Sequence, residues 1–225
     1  EQVSGVIIDK VGPYSERDGF ISANVDALVA SVQALRSRIG DGVMKVLFVT
    51  HSIPVAMNAA SANGTPAARY DAQHIRVASR VAEAAEAYLG ERLDWELVYC
   101  SRSGSPHVSW LEPDVNDRLA ELTGVAGVVA APIGFISDHM EVAYDLDTQA
   151  RESAAAAGFD YERAATAGIH PDFIATLADL LLEQAAVARG ELAPPDHPCL
   201  TEPASCCLPH PQKEQTHVPS ASHAH

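Results

Sequence analysis

The chain has 225 residues, 47% of them hydrophobic and 20% charged, a composition typical of a globular protein that can bury a sizeable core. Its formal net charge of −15 and pI of about 4.9 disfavour generic binding to nucleic acid, which needs a basic surface. No apolar run approaches the ~20 residues of a transmembrane helix and no signal peptide is visible, so we expect a cytoplasmic protein without a membrane span.

Short apolar runs alternate with segments whose apolar residues recur at helical spacing. In chain order, the pattern predicts strand 3–11, helix 19–40, strand 44–50, helix 67–90, strand 95–101, helix 112–124, strand 126–136, helix 138–158, strand 159–166 and helix 170–190. Such alternation favours right-handed β–α–β units. The predicted fold class is therefore α/β, with a mostly parallel sheet covered by helices on both faces.

The composition changes near residue 191, where Pro, His, Ser and Cys replace the periodic apolar residues. We expect residues 1–190 to form one domain and residues 191–225 to be a disordered tail. The chain begins at Glu1 and enters an apolar run almost at once. We therefore expect a fragment whose upstream part is missing.

Two polar segments directly follow predicted strands, "THSIP" at 50–54 and "SDHMEVAYDLD" at 137–147. Ligands of open parallel sheets bind outside the carboxyl ends of the strands. If both strands belong to one parallel sheet, His51 and Glu141 face the same crevice. A bland alternative for His51 is a capping or packing histidine, and the functional one is a metal ligand or proton acceptor.

Three acids of the second segment, Asp138, Glu141 and Asp145, lie at i, i+3 and i+7, which is one face of the predicted helix. A helix start explains Asp138, because negative charge is favoured there. Glu141 and Asp145 lie too far along the helix for that. They form either a solvated face or, with His51, a site for Fe²⁺, Zn²⁺ or a similar cation.

The four cysteines divide into Cys100, which stands alone, and Cys199, Cys206 and Cys207, which fall within nine residues. Nothing indicates secretion, so a disulfide framework is disfavoured. Clustered cysteines in a tail rich in Pro and His are typical of metal or iron–sulfur ligands, or are incidental thiols. No G-x-G-x-x-G, P-loop or G-x-S-x-G motif is present, so the usual signals for nucleotide binding and for a hydrolase nucleophile are missing.

Three segments together resemble the ferrochelatases, most closely the actinobacterial branch that uses coproporphyrin. They are "HSIP", "SRSGSPHVSWLEPDVNDRL" and "PIGFISDHMEVAYDLD", and they occur in the family's order and spacing. The resemblance covers about residues 3–190 and matches the second, larger part of the family's chain. It implies that the start of this chain belongs to the end of the family's first domain, which is mostly missing. It implies a Rossmann-like domain of the chelatase type and a lyase that inserts Fe²⁺ into a porphyrin, coproporphyrin III, in haem synthesis.

The resemblance also implies roles for single residues. His51 and Glu141 correspond to the family's metal-binding pair, on opposite or nearly opposite sides of the porphyrin cleft. Asp145 corresponds to the next acid of a carboxylate series that carries metal or protons, on a helix with a π-type turn. The propionates of coproporphyrin need cationic partners in so acidic a chain, and Arg102 is a candidate, with a structural salt bridge as its alternative.

Many actinobacterial members carry a [2Fe–2S] cluster, with three C-terminal cysteines and a fourth in the first domain. The resemblance assigns the three to Cys199, Cys206 and Cys207 and implies a fourth ligand upstream of this chain. Cys100 is expected to be a small buried residue instead. The implied partners are the porphyrin substrate and, transiently, neighbouring enzymes of the haem pathway. The alternatives are a related tetrapyrrole chelatase with another metal or substrate, and a non-catalytic module that binds metal or haem.

Overall fold

The computed structural model describes residues 9–61, 65–104 and 107–195. Its centre is a four-stranded sheet in the order β2–β1–β3–β4, in which every neighbouring pair is parallel. The strands are β1 Met44–His51, β2 Trp95–Cys100, β3 Gly127–Ala131 and β4 Asp160–Arg163. The prediction of an α/β fold with a parallel sheet is confirmed.

Helices cover both faces of this sheet. They are α1 Asp18–Ile39, α2 Val55–Ala60, the short 3₁₀ turn Pro66–Ala68, α3 Tyr70–Leu89, α4 Val115–Glu121, the π-helix Val142–Ala150, α5 Arg151–Ala157 and α6 Pro171–Ala188. Helices α1, α3 and α6 pack together on one face, and α4, the π-helix and α5 pack together on the other. The helices that the periodicity predicts are therefore present, with ends that shift by a few residues.

Strand β1 lies between two hydrophobic cores. Val46 and Phe48 are buried in the core beneath α1 and α3, whereas Leu47 and Val49 are buried in the core beneath α4 and the π-helix. Burying one such side chain contributes roughly 1.5–3 kcal/mol, so both faces of β1 resist a shift in register. This packing therefore fixes the position of His51, the last residue of the strand, at the middle of the sheet edge.

The predicted strand 126–136 is wrong beyond Ala131. Pro132 has no N–H to donate to the sheet, and the chain turns there. The turn brings the Gly134 N–H to the Val49 carbonyl oxygen at 3.2 Å. Its α-carbon then packs directly on Thr50, with no room for a side chain.

Three further predictions differ from the structure. The helix predicted from residue 138 begins at Met140, and the helix predicted at 112–124 is limited to α4, whose N-cap Asp114 accepts from the N–H of Asn116. Of the predicted strand 3–11, residues 1–8 lie outside the described residues and residues 9–11 are not extended in a sheet.

The tail from residue 196 onward lies outside the described residues, so the domain boundary near 190 stays a prediction. Within the described ranges, no helix is both long and apolar enough to cross a membrane.

Replacing Gly134 by alanine should destabilise the protein by about 1–3 kcal/mol, because the new Cβ would overlap the Thr50 side chain and lie 2.8 Å from its Cα. Gly12→Ala is the matched control, since its Cβ would meet Leu180 at an ordinary 3.6 Å. Urea unfolding of both variants measures the difference. Equal unfolding midpoints would contradict the close packing of Gly134 on β1.

Candidate metal centre

His51 ends the central strand β1 with a defined tautomer. Its Nδ1 lies 2.5 Å from the backbone oxygen of Ser52. A carbonyl oxygen only accepts, so Nδ1 carries the proton and the neutral ring keeps its lone pair on Nε2. The His51 side chain is 30% exposed at this edge of the sheet.

Glu141, in the segment that follows β3, faces Nε2 of His51. Its Oε1 lies 3.8 Å from His51 Nε2, which is too long for a hydrogen bond. Two metal–ligand bonds of about 2.1 Å each reach at most about 4.2 Å, so one divalent cation can bind both atoms without a large rearrangement. The position of the pair on opposite or nearly opposite sides of a porphyrin cleft stays a prediction.

The helix that carries Glu141 has the π-type turn that the resemblance implied, over Val142–Ala150. Its buried residues Val142, Leu146 and Ala150 recur every four positions and pack on the core beneath β1 and β3. Because a π-helix bonds i to i+5, residues four apart come close to one line along its axis. The helix continues into α5 without a break.

Asp145 is held by Ser101, whose hydroxyl donates to Asp145 Oδ2. Ser101 directly follows β2 and has a positive φ of 60°, which a residue with a side chain rarely adopts. Such a conformation costs of order 1 kcal/mol and points to a local constraint. Here the backbone turn aims the hydroxyl at the π-helix. The sequence pattern alone predicts no role for Ser101.

Arg163 pairs with the other two acids of the segment. It contacts Asp147 at 2.7 Å and Asp138 at 3.1 Å. Asp138 precedes the helix, so it does not share a face with Glu141 and Asp145 as the spacing predicted. Among the described residues, no Arg or Lys lies within 4.0 Å of the Glu141 or Asp145 carboxylate. Two acids are thus neutralised by a cation of the protein, and two are not.

A partly buried hydrogen-bonded group, formed by Thr50, Tyr70 and His74, lies behind His51. The Tyr70 hydroxyl donates to the His51 backbone oxygen at 2.8 Å. Thr50 Oγ1 lies 2.6 Å from the Tyr70 hydroxyl and 3.0 Å from His74 Nε2. Burial raises the pKa of Tyr70 and lowers the pKa of His74, so both are neutral near pH 7. The sequence gives one indication of this group, the i, i+4 spacing of Tyr70 and His74 at the start of a helix. The motif-based prediction of the site did not include these residues.

Two expectations concern residues near the end of β2. Cys100 is 1% exposed, and burial raises the pKa of its thiol to about 12. It is a small buried residue, as expected. Arg102 lies 3.6 Å from Glu112, and its side chain is 39% exposed, which makes this a loose surface pair. Arg102 and Glu112 line a polar cleft together with His107, Ser109 and Trp110.

Across the ranges that the structure describes, no group of three or more His, Cys, Asp or Glu side chains could hold a metal ion. His51 and Glu141 offer two ligands, whereas a structural site encloses its metal with about four. Cys199, Cys206 and Cys207 lie outside the described residues.

The fold and this pair define an α/β protein with a candidate cation site at the carboxyl edge of its central strand. The family model for ferrochelatases matches residues 2–185. The chain belongs to the ferrochelatase family.

Curated relatives agree with this assignment. A coproporphyrin III ferrochelatase of Streptomyces griseus is 44% identical over 216 residues, which cover 89% of this chain and 56% of the relative. One of Streptomyces coelicolor is 44% identical over 195 residues, covering 84% and 51%. A ferrochelatase of Rhodopirellula baltica is 37% identical over 215 residues, covering 92% and 56%. The chain therefore spans about half the length of the curated relatives it matches.

The lowered pKa of His74 predicts a loss of stability in acid. Below its ordinary pKa of 6.5 the unfolded chain takes up a proton that the folded protein does not, so unfolding becomes more favourable as the pH falls. The slope is at most about 1.4 kcal/mol per pH unit. His74→Gln should flatten the pH dependence of the free energy of unfolding between about pH 6.5 and 5, measured by urea unfolding. Near pH 8, the difference in unfolding free energy between variant and parent measures the hydrogen bonds that the substitution removes. Parallel curves for variant and parent would contradict a lowered pKa of His74 in the folded protein.

Proposed function

We propose that this chain is the metal-binding part of a ferrochelatase that inserts Fe²⁺ into coproporphyrin III in haem synthesis. The observation that carries the proposal is the His51–Glu141 pair, whose facing atoms are 3.8 Å apart and lack any Arg or Lys partner among the described residues. The choice of porphyrin is supported by the names of the Streptomyces griseus and Streptomyces coelicolor relatives.

Metallation removes two protons from the pyrrole nitrogens and water from the metal. His51 has its Nδ1 proton committed to Ser52, so Nε2 is the atom that accepts a pyrrole proton or binds Fe²⁺. Glu141 supplies a second ligand to the cation and, when His51 is protonated, a counter-charge to the imidazolium. Hard oxygen and imidazole ligands suit Fe²⁺, which is the substrate metal here.

Asp145 is proposed as the group that next binds the cation or accepts the released protons. Ser101 holds its Oδ2, which leaves Oδ1 without a partner among the described residues. The π-helix brings Asp145 close to a common line with Glu141, one i, i+4 step away. A path from the pair toward solvent then follows the exposed side of this helix.

Arg102 is proposed as a partner for a substrate propionate. Its pair with Glu112 is loose, so a carboxylate of the porphyrin can replace Glu112 at small cost. The polar cleft that contains Arg102 lies at the same carboxyl edge of the sheet as His51. A bidentate contact from a guanidinium suits a propionate well.

The [2Fe–2S] cluster also stays a proposal. Such a cluster needs four ligands, and this chain offers three clustered cysteines: Cys199, Cys206 and Cys207. Cys100 is a poor candidate for the fourth ligand, because its side chain is 1% exposed and packs in the core beneath α4 and the π-helix. The fourth ligand would come from a segment that this chain does not include.

His51→Ala and Glu141→Gln should each slow metallation by about 100-fold or more, because each removes a group that binds the cation or accepts a proton. Loss of porphyrin fluorescence under anaerobic Fe²⁺ measures the rate. His170→Ala is the matched control, since His170 also faces a carboxylate, Asp26 at 3.1 Å, but on the surface of another part of the fold. Near-parental rates in both site variants would overturn the assignment.

The same assay should compare the chain alone with a chimera that adds the part of the Streptomyces griseus relative that the chain does not cover. Activity in the chimera alone would place part of the machinery in the added half. Inactivity of both, with Fe²⁺ still bound, would favour a non-catalytic metal-binding protein. Incorporation of Co²⁺ or use of a more reduced tetrapyrrole in preference to Fe²⁺ and coproporphyrin III would favour a related chelatase.

The cluster has its own prediction. After anaerobic reconstitution with iron and sulfide, the chimera should show the visible absorption bands of an oxidised [2Fe–2S] centre. Changing Cys199, Cys206 and Cys207 together to serine should remove these bands, because serine does not replace thiolate in such a site. Cys100→Ser is the control and should leave them intact. Absent bands in the parent, or bands that survive the triple change, would contradict the assignment.

A further inference from the structure

Arg163, the last residue of β4, has its guanidinium between two acids of the segment that carries Glu141. Its Nε and Nη2 donate to Asp147 at 2.7 and 3.1 Å, and its Nη1 and Nη2 donate to Asp138 at 3.1 and 3.3 Å. Nη1 also donates to the backbone oxygen of Ala164 at 3.3 Å. These contacts use all five N–H donors of the guanidinium.

The two acids lie on either side of Glu141 along the chain. Asp138 precedes the helix and Asp147 lies within the π-helix, so Arg163 ties both ends of the segment to β4. Thr166 adds a second contact to Asp138 at 3.2 Å. The Arg163 side chain is only 16% exposed, so its pairs are less screened by water than ordinary surface pairs.

The segment needs such an anchor for two reasons. A π-helix is rare because its geometry is less favourable than that of an α-helix, so tertiary contacts must maintain it. Buried Val142 and Leu146 supply these contacts on the core side only. Without Arg163, the Asp138 and Asp147 carboxylates would also lose the cation that holds them to β4.

We propose that Arg163 is a positioning residue that keeps the Glu141 carboxylate within one cation's reach of His51. The inference rests on the proposed function. Among the described residues, the hydrogen bonds of Arg163 go to Asp138, Asp147 and Ala164 and not to His51 or Glu141, so it acts by fixing both ends of the segment that presents Glu141. Its pairing with two acids also leaves Glu141 and Asp145 as the segment's carboxylates without a cationic partner.

The test is steady-state kinetics of the active protein, with Fe²⁺ and coproporphyrin varied separately. Arg163→Met should raise the KM for Fe²⁺ by about tenfold or more, because one cation ligand is misplaced, while the KM for the porphyrin changes by less than about twofold. Arg163→Lys should fall between, since a single ammonium cannot hold both carboxylates in bidentate fashion.

Arg38→Met is the matched control. Arg38 pairs with Asp160 at 3.4 Å and Glu162 at 2.9 Å, both on β4, and its side chain is 38% exposed. This variant removes two ion pairs from the same strand without touching the Glu141 segment. It should leave the KM for Fe²⁺ unchanged.

A second variant and a binding measurement distinguish loss of positioning from loss of folding. Asp147→Asn keeps the shape of its side chain but loses the charge, and it should raise the KM for Fe²⁺ in the same direction. Co²⁺ titration, followed by its visible absorption, should show weaker binding in Arg163→Lys and Asp147→Asn. A lowered unfolding midpoint with parental KM and Co²⁺ affinity would overturn the proposal, since Arg163 would then only stabilise the fold.

The same titration separates this proposal from the proposed function. If Glu141→Gln weakens Co²⁺ binding but the Arg163 and Asp147 variants do not, the cation site stands and positioning by Arg163 is wrong. If Glu141→Gln leaves Co²⁺ binding unchanged, the cation site itself is wrong and the positioning proposal falls with it.

Discussion

Parallel strand pairing, buried on both faces, is the constraint on which the rest of this molecule depends. Because all four strands run the same way, their carboxyl ends meet along one edge of the sheet. The two cores on either side of β1 fix its register, and a slip of one residue would move Phe48 and Leu47 into the wrong layers. His51 owes its position to this packing, and the loop after β3 owes its path to the close approach of Gly134 to Thr50.

Charge imposes the second constraint. Four carboxylates lie within ten residues, Asp138 to Asp147, in the segment that follows the turn after β3. The protein neutralises the outer two with Arg163 and gives Asp145 a hydroxyl donor, so only Glu141 faces an imidazole without any closer partner. The segment from Asp138 to Asp147 contains no Lys or Arg, and its contacts with Arg163 and Ser101 hold it in place. It still presents the negative charge of Glu141 at the sheet edge.

Much of this was readable from the sequence, for identifiable reasons. Apolar periodicity and strand–helix alternation predict the fold, and strand direction alone brings His51 and Glu141 to one edge. The end of β3 was missed because the apolar pattern continues past Pro132, although the missing N–H stops the pairing. Arg163 could not be linked to Asp138 and Asp147, because their contact depends on how β4 and the π-helix meet in space.

The tautomer of His51 has a consequence of its own. The partner that holds Nδ1 is the backbone carbonyl of Ser52, not a side chain. Substitutions at position 52 can therefore alter the hydroxyl, which bonds to the Leu111 carbonyl, without releasing the imidazole. Which ring nitrogen is basic is decided by where the strand stops. In this family member, the path of the backbone after β1 determines which ring nitrogen of His51 carries the proton. A change in loop length after β1 would therefore disturb the tautomer more than a change in any neighbouring side chain.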